Sequence, residues 1–358
     1  MTRHATARSL AVLSFLAVLS CGCEFDYLLH LAAGELCSLS QTIPVEQALL
    51  DPRLTPEEQA KLALTQEVRQ FGIDEIGLFA GPAYTVFEMN GNAPALYVLT
   101  ASDKHRLRAY QWNIPFFGPS EVKGYFDRGM AEREEAALIG RGYDTYLGRA
   151  DGFSTLGILP DPVRQSNLRL DNVDLAELIL HEMTHSTVYK PSDVNFSESV
   201  ATFVGRRSAL AWFRHRFGAG SPEALAAEAR YADEAVIDEY VVDLHDRLAA
   251  YYAAAAAAGQ TVEEIVAGRQ AEFAAASARF QTDYRPRLLD PDRWGFVAAM
   301  DLNNARLLTG IRYQGGLEDY QAVVDKLSGD LRQAVEVFQA AAQQADSREY
   351  LRAWVTDH

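Results

Sequence analysis

The sequence predicts an α+β fold that is mainly α-helical, with a small β-sheet in the N-terminal half. Segments rich in β-branched and aromatic residues occur before residue 160, whereas apolar residues at helical spacing dominate from 172 onwards. No internal repeat and no linker rich in Pro, Gly or Ser divides the chain. We therefore expect one continuous domain over residues 23–358, β-containing at 75–160 and helical at 172–358.

The first half mixes helical and strand patterns. The helical patterns cover 27–36, 45–51, 55–71 and 127–140. The strand patterns cover 84–89, 96–100, 144–147 and 153–158. Asn90-Gly91-Asn92 separates the first two strands, which predicts a β-hairpin. Pro115, Gly118 and Pro119 favour a loop over 112–124.

The second half is a succession of helical patterns. They cover 173–189, 197–217, 222–258 (with or without a break), 261–283 and 318–344. Asp174 is a candidate N-cap for the first of them.

Composition and charge exclude some classes of function. The chain of 358 residues is 48% hydrophobic and 23% charged, as globular proteins are. Its formal net charge of −16 argues against nucleic-acid binding, which requires a basic surface. The same charge argues against docking on anionic lipid through the folded body.

The N-terminus has the pattern of a bacterial secretory signal. Arg3 and Arg8 precede an apolar run over 10–19, which is too short to span a bilayer. The run ends in Leu19-Ser20-Cys21-Gly22-Cys23, which resembles a lipobox. We expect residues 1–22 to be a signal peptide, and Cys21 or Cys23 to carry a lipid that anchors a periplasm-facing protein to a membrane of the cell envelope. An ordinary secretory signal with incidental cysteines is the alternative.

The third cysteine, Cys37, depends on that choice. If Cys21 carries the lipid, Cys23 and Cys37 could form a disulfide; if Cys23 does, Cys37 is single. Neither case leaves a metal site made of cysteines.

Residues 178–185 contain the pattern H-E-x-x-H within a predicted helix. Residues four apart lie on the same face of an α-helix, so His181 and His185 can bind one metal ion. Glu182 lies about 100° further round the helix, where a general base can take a proton from zinc-activated water. The pattern predicts one Zn²⁺ per chain and metal-dependent hydrolysis. The alternative is a buried helix with two chance histidines.

Glu198 is the predicted third ligand. It follows His185 by 13 positions, across a turn containing Pro191, so a helix–turn–helix could bring its carboxylate to the metal. Two histidines and one glutamate leave a fourth position for water, as a catalytic zinc site requires. Alternatively, Asn195 caps a helix and Glu198 completes the capping box, and Asp193 is the second candidate for the ligand.

Two further polar residues are placed to orient the ligands. Glu177, one turn before His181, could accept its free N–H, and Thr202, one turn after Glu198, could hold that carboxylate. Each is equally compatible with an ordinary polar residue of a helix.

The segments 175–185 and 195–204 resemble a bacterial family described as predicted aminopeptidases, which are gluzincin-type lipoproteins. Similar blocks extend over nearly the whole mature chain, at 23–36, 123–126, 142–144, 153–157, 161–162 and 303–313. The resemblance implies a zincin-like metallopeptidase with zinc on His181, His185 and Glu198 and with Glu182 as catalyst. The chain departs from the family at 118–126, where Lys123 replaces an arginine and a cysteine is missing.

Two hypotheses concern the substrate. Ser154, Thr155, Leu156 and Gly157 could form an edge strand that pairs with an extended peptide, although a purely structural strand fits the pattern equally well. Tyr313 could donate a hydrogen bond to the tetrahedral oxyanion. A packing role is the alternative for Tyr313, since the chain has 16 tyrosines.

The sequence therefore predicts a zinc-dependent peptidase that acts on peptide substrates, with an aminopeptidase as the first choice. An aminopeptidase needs a group that holds the free amine of its substrate, and the sequence does not reveal one. A zinc endopeptidase and a non-catalytic envelope lipoprotein with a structural zinc site are the alternatives.

Overall fold

The computed structural model describes residues 22–358 apart from 92, 94, 115–117, 153, 154, 157 and 315. Over these residues the fold is α+β and mainly α-helical, as the sequence predicts. None of the described helices combines the length and the apolar character needed to cross a bilayer. The predicted signal segment, including Cys21, lies outside the described residues apart from Gly22.

Short strands and helices alternate in the first half. The elements are α1 (Gly22–Ser40), β1 (Thr42–Pro44), α2 (Val45–Ala48), α3 (Pro56–Phe71), β2 (Val86–Glu88), β3 (Leu96–Ser102), β4 (Trp112–Ile114), β5 (Gly118–Ser120), β6 (Lys123–Tyr125), α4 (Arg128–Gly140), β7 (Asp144–Ala150) and β8 (Val163–Arg164). Helix α3 begins with a capping box, in which Thr55 and Glu58 each accept a hydrogen bond from the other's backbone N–H, at 3.2 and 2.8 Å.

The described strands form three small sheets. β2 lies between β1, which is antiparallel to it, and β8, which is parallel. β3 lies between β6 and β7 and is antiparallel to both, and β4 pairs with β5. Leu99 is fully buried on β3, opposite Leu147 of β7.

The predicted hairpin of 84–89 and 96–100 is wrong, because β2 and β3 belong to different sheets. Asn90 fixes the intervening chain elsewhere. Its Oδ1 accepts a hydrogen bond from Ser166 N at 3.0 Å, and its Nδ2 donates to Ser166 Oγ at 3.2 Å. The segment is therefore held against the turn that follows β8, and it does not close a tight turn between neighbouring strands.

Two other predictions in this half are wrong. The segment 112–124 contains β4, β5 and most of β6. Among the described strands β5 pairs with β4 alone, and such an edge strand tolerates Pro119. Of the strand predicted over 153–158, the described residues Thr155, Leu156 and Ile158 form no strand. Ile158 N donates to Thr155 O at 3.2 Å, and Leu156 has a φ of +59°, outside the β region.

The second half consists of long helices. They are α5 (Asn172–Thr187), α6 (Val194–Phe217), α7 (Pro222–Ala257), α8 (Val262–Arg279), α9 (Asn304–Gln314), α10 (Leu317–Lys326), α11 (Leu331–Ala342) and α12 (Ser347–Asp357). The single helix predicted over 318–344 is wrong, because Ser328 and Gly329 have φ values of +55° and +91° and interrupt it. The patterns described above did not predict α9 and α12.

The largest buried apolar cluster surrounds α5 and α6. It joins their side chains, such as the fully buried Ile179 and Phe196, to residues of α3, β2, α10 and α11. A second cluster joins α7 to α8, and a third joins α1 and α4 to the sheet of β3. The pair of helices with the predicted ligands therefore lies at the centre of the main core.

Candidate metal centre and adjoining cleft

Helix α5, which carries the histidine pair, is fixed at both ends. Asp171, and not Asp174 as predicted, is the N-cap: its Oδ1 accepts hydrogen bonds from Val173 N and Asp174 N at 3.0 and 2.9 Å. At the C-terminal end, Thr187 Oγ1 accepts a hydrogen bond from Phe79 N at 2.9 Å. These bonds set the start and the position of the helix against the loop after α3.

Helix α6, which carries Glu198, is capped by Asp193. Asp193 Oδ1 accepts a hydrogen bond from Phe196 N at 2.9 Å. The alternative in which Asn195 caps the helix and Glu198 completes a capping box is therefore wrong. Glu198 is left free to serve another purpose, and Asp193 is engaged as the cap.

Lys190 secures the turn between α5 and α6. Its buried Nζ donates hydrogen bonds to Gln344 O, Ala345 O and Ser347 Oγ at 2.7, 3.0 and 3.0 Å. The turn is thereby tied to the link between α11 and α12, which limits how far the two ligand helices can shift relative to each other.

The two helices approach closely at Gly205. A Cβ atom at this position would lie 3.2 Å from His181 Cβ and 3.3 Å from His181 Cα. Such contacts are tighter than most Cβ contacts in folded proteins, so the glycine lets α6 lie this close to the first histidine without a shift of the two helices.

The three predicted metal ligands lie together. His181 Nε2 and His185 Nε2 are 3.2 Å apart, and each lies 3.6 Å from Glu198 Oε2. Their side chains are 16%, 11% and 22% exposed, respectively. In the part of the chain that the structure describes, they are the one set of three or more His, Cys, Asp or Glu side chains close enough to share a metal ion.

This donor set fits one zinc ion. Bonds from zinc to nitrogen or oxygen are about 2.0–2.2 Å long, so two donors on one ion lie at most about 4.4 Å apart. The separations of 3.2 and 3.6 Å satisfy this limit. Two histidines with one carboxylate are also a donor set found in catalytic zinc sites.

The electrostatics of the three residues favour the ionised carboxylate. Burial by itself would raise the pKa of Glu198, but hydrogen bonds and charge from His181 and His185 outweigh it and hold that pKa well below its ordinary value. Burial would lower the pKa of His185, yet Glu198 raises it overall. Glu198 is thus anionic at neutral pH, as a metal ligand has to be.

Glu182 lies beside the ligands and lines a cleft of about 540 Å³ together with His181. Its side chain is only 8% exposed. Burial raises the pKa of Glu182, although His181 and His185 oppose the shift. A Cβ atom on Gly152 would lie 3.0 Å from Glu182 Oε1, so this glycine leaves room for the carboxylate at the wall of the cleft.

Tyr313 lines the same cleft from α9. The centroid of its ring lies 6.4 Å from that of His181. Although its side chain is 36% exposed, partial burial raises the pKa of its phenol, and the charge of Glu198 adds to the effect. The hydroxyl therefore stays protonated at neutral pH and can donate a hydrogen bond.

The two residues predicted to orient the ligands have different surroundings. Glu177 lines the cleft, and its Oε1 lies 3.5 Å from Arg206 Nε. Thr202 is buried on α6, one turn after Glu198. The contacts of Glu177 and Thr202 do not show that either residue orients a metal-binding side chain.

The predicted substrate strand falls on a turn. Thr155 N donates a hydrogen bond to Asp161 Oδ2 at 2.9 Å, and Leu156 follows in the left-handed conformation. Ser154 and Gly157 lie outside the described residues. Thr155 and Leu156 therefore do not present the backbone of an edge strand to a peptide.

Comparison with protein families agrees with the resemblance seen in the sequence. A family model described as "Putative aminopeptidase" matches residues 26–351. The chain belongs to this aminopeptidase family. Neither the curated proteins nor the solved structures include a match to it.

In this member of the aminopeptidase family, sequence reasoning missed two features of the site. Tyr84 is buried with a φ of +63°, and burial, followed by the charge of Glu182, raises its pKa. Glu234 and Asp238 of α7 line the same cleft as His181. No local pattern could have revealed either feature, because both depend on how distant segments pack.

Proposed function

We propose that this protein is a zinc-dependent peptidase, and specifically an aminopeptidase. The observation that carries the proposal is the convergence of His181, His185 and Glu198, with Glu182 beside them in a cleft. The cleft, at about 540 Å³, falls within the range of small-molecule sites and is large enough for the end of a peptide. Membership of the aminopeptidase family supports peptide-bond hydrolysis.

The residues of the site would divide the reaction between them. His181, His185 and Glu198 would hold the zinc ion, which when bound polarises the scissile carbonyl and lowers the pKa of water. Glu182 would take a proton from the attacking water and pass it to the nitrogen of the leaving amine, whose bond to the carbonyl carbon breaks.

Tyr313 would stabilise the negative charge that develops on the carbonyl oxygen. Its ring centroid lies 6.4 Å from that of His181 and its hydroxyl is protonated, and a donor fixed in advance favours the transition state over the ground state. The phenol would donate a hydrogen bond and keep its proton.

The N-terminal pattern supports a place in the bacterial cell envelope. Residues 1–22 would direct secretion, and lipid on Cys21 or Cys23 would anchor the folded body at a membrane, facing the periplasm. Globomycin treatment of cells that express the full chain, followed by mass spectrometry of the N-terminus, tests this part. Release of an unlipidated protein without treatment would contradict it.

The test of the proposed function is metal analysis of the purified protein combined with digestion of a mixed peptide library. We expect one zinc per chain and single residues lost from the N-termini of the peptides. His181→Ala should lose the zinc, whereas His245→Ala, on α7 and outside the metal cluster, should retain it. Internal cuts would indicate an endopeptidase, zinc without cuts would indicate a structural site, and no zinc after reconstitution would contradict the proposal.

A further inference from the structure

The cleft beside the metal ligands is strongly acidic. Its walls come from α5, α6 and α7 and from the segments around Gly152 and Trp294. The charged residues of the walls are Asp151, Asp174, Glu177, Glu182, Glu234, Asp238 and Arg206. The proposed chemistry uses only Glu182 among the carboxylates, so the function of the others is open.

Neighbouring arginines neutralise only part of this charge. Arg206 Nη1 lies 2.5 Å from Asp238 Oδ2, and its Nε lies 2.9 Å from Glu234 Oε2. Arg230 pairs with both Glu234 and Asp174. Arg293 adds a second pair to Asp174, outside the cleft wall. Several carboxylates therefore share each guanidinium group, and the cleft keeps an excess of negative charge.

Glu177 is the least neutralised of the carboxylates around Arg206. Its Oε1 lies 3.5 Å from Arg206 Nε, whereas Glu234 Oε2 lies 2.9 Å from the same nitrogen. Burial, followed by the charge of Glu234, raises the pKa of Glu177 well above its ordinary value. A cation placed next to Glu177 would relieve this unfavourable charge.

Glu182 independently indicates that a ligand completes this cleft. It is more than nine-tenths buried and lies in the cleft wall. Within the described part of the chain, its carboxylate makes no hydrogen bond and no ion pair within 4.0 Å. Buried polar groups are almost always partnered in folded proteins, so the partner of Glu182 is expected to enter the cleft from outside.

We propose that Glu177, supported by Glu234, binds the free α-ammonium group of the peptide substrate. Glu177 precedes His181 by one turn on the same face of α5, about 6 Å along the helix axis. In a peptide, only one carbon separates the α-nitrogen from the first carbonyl carbon, so the amine has to bind next to the metal ligands. The ammonium of a lysine side chain would reach several ångströms further.

The apolar part of the cleft supports the same orientation. Leu178, Ile237 and Trp294 also line it and can receive an apolar side chain of the first residue. The inference rests on the proposed function and assigns to Glu177 the recognition of the unblocked N-terminus that an aminopeptidase requires.

The first test uses the zinc-loaded wild-type protein and matched substrates. A leucyl peptide is compared with its N-acetyl form and with the 4-methylpentanoyl peptide, which lacks only the amine. We expect kcat/KM for the free leucyl peptide to exceed that of either analogue by about 100-fold or more. Equal rates would overturn the amine site while leaving a peptidase; no hydrolysis of any peptide by the zinc-loaded protein would overturn both proposals.

The second test removes the charge of Glu177 without changing its shape. Glu177→Gln should lower kcat/KM for the free leucyl peptide by about 100-fold, at least 10-fold more than it lowers the slow cleavage of the 4-methylpentanoyl peptide. Glu228→Gln is the matched control, because Glu228 lies on α7 outside this cleft and pairs with Arg214. Zinc content should equal that of the wild type in both variants. An equal loss on both substrates would overturn the proposal.

Binding provides a readout that does not depend on turnover. Titration calorimetry with the wild type should show that leucinamide binds at least 10-fold more tightly than 4-methylpentanamide, and Glu177→Gln should remove the difference. Should that variant fail to fold, Glu234→Gln and the wild-type comparison test the same point. If the variants weaken only peptides that begin with lysine or arginine, the cleft binds basic side chains and the α-amine assignment is wrong.

Discussion

Glu182 is the residue on which the proposed chemistry depends. It lies next to His181 in sequence, but helix geometry points it to the side of the metal ligands, into the cleft. Glu182→Gln should reduce kcat by about 10²–10⁴-fold, the usual contribution of a general base, without loss of zinc. Zinc analysis and steady-state kinetics on a peptide amide check both parts. Loss of zinc from the variant would show that Glu182 is a ligand and not the base.

Tyr313 offers a second residue-level prediction. A donor that acts on charge developed only in the transition state contributes to kcat and little to KM. Tyr313→Phe should therefore lower kcat by about 10²-fold while KM changes little. Tyr189→Phe is the comparison, because Tyr189 also feels the charge of Glu198. Burial, followed by that charge, raises the pKa of Tyr189. A loss confined to Tyr189→Phe would assign the oxyanion donor to that residue instead.

The spacing of the candidate metal-binding residues could be predicted from the sequence. The residues that contact them from other segments could not. His181, Glu182 and His185 lie on one helix, so their relative positions follow from helix geometry alone. Glu177 was found by the same spacing, but its pairing with Arg206 of α6 is a tertiary contact, and it is this contact that leads to the role proposed above. Sequence spacing carries no information about such a partner.

At the scale of elements, α5 and α6 were predictable because their signals are local. Apolar spacing within each helix and Pro191 between them are read directly from the chain. The strands were not predictable to the same degree, since β2 pairs with β1 and β8 across long stretches of sequence. Strands of two or three residues carry little periodic signal, so their partners are decided by packing.

The close approach of α5 and α6 yields a prediction at this scale. Gly205→Ala would place a Cβ atom 3.2 Å from His181 Cβ, and the helices would have to separate slightly. We expect the free energy of unfolding to fall by about 1–3 kcal/mol, as in overpacked cores, and zinc to bind more weakly because His181 moves. Chemical denaturation and zinc titration measure the two effects.

A matched control separates this clash from a general effect of alanine. Gly140 ends α4, and a Cβ atom added there would meet no atom within 4 Å. Gly140→Ala should keep or slightly increase stability, because alanine favours a helix over glycine. If both variants behave alike, the close packing at Gly205 does not position the first histidine.

At the scale of the whole molecule, the acidic cleft is a product of topology. Asp151 follows β7, Glu177 lies on α5 and Glu234 lies on α7, so three distant segments supply its charge. The sequence shows the overall excess of acidic residues but not where it concentrates. Sequence reasoning therefore could not assign Glu177 and Glu234 to the amine site that we propose, because the proposal depends on the packing of α7 against α5 and α6.

Buried carboxyls also govern how the stability of the whole fold depends on pH. Burial raises the pKa of Glu35 and Asp161. Such groups contribute stability that is complete below the unfolded pKa, about 4.3 for glutamate and about 3.9 for aspartate, and is lost as pH rises through the folded pKa. Hydrogen bonds from Arg53 lower the pKa of Asp51 to about 2, so its contribution is lost only in acid. We expect the Tm of the metal-free protein to rise when the pH falls from 8 to about 5–6, helped by reduced repulsion at a formal charge of −16, and to drop below about pH 4.

Glu35→Gln isolates one of these groups. Both carboxylate oxygens of Glu35 are buried and lack a hydrogen-bond partner in the described part of the chain, so glutamine keeps the shape and removes a charge that burial disfavours. The variant should melt higher than the wild type at pH 8, and the difference should shrink towards zero near pH 4, where the wild-type carboxyl is protonated in both folded and unfolded states. Differential scanning calorimetry of the two metal-free proteins across pH measures it. A difference in Tm that does not change with pH would mean that Glu35 affects stability through packing, not ionisation.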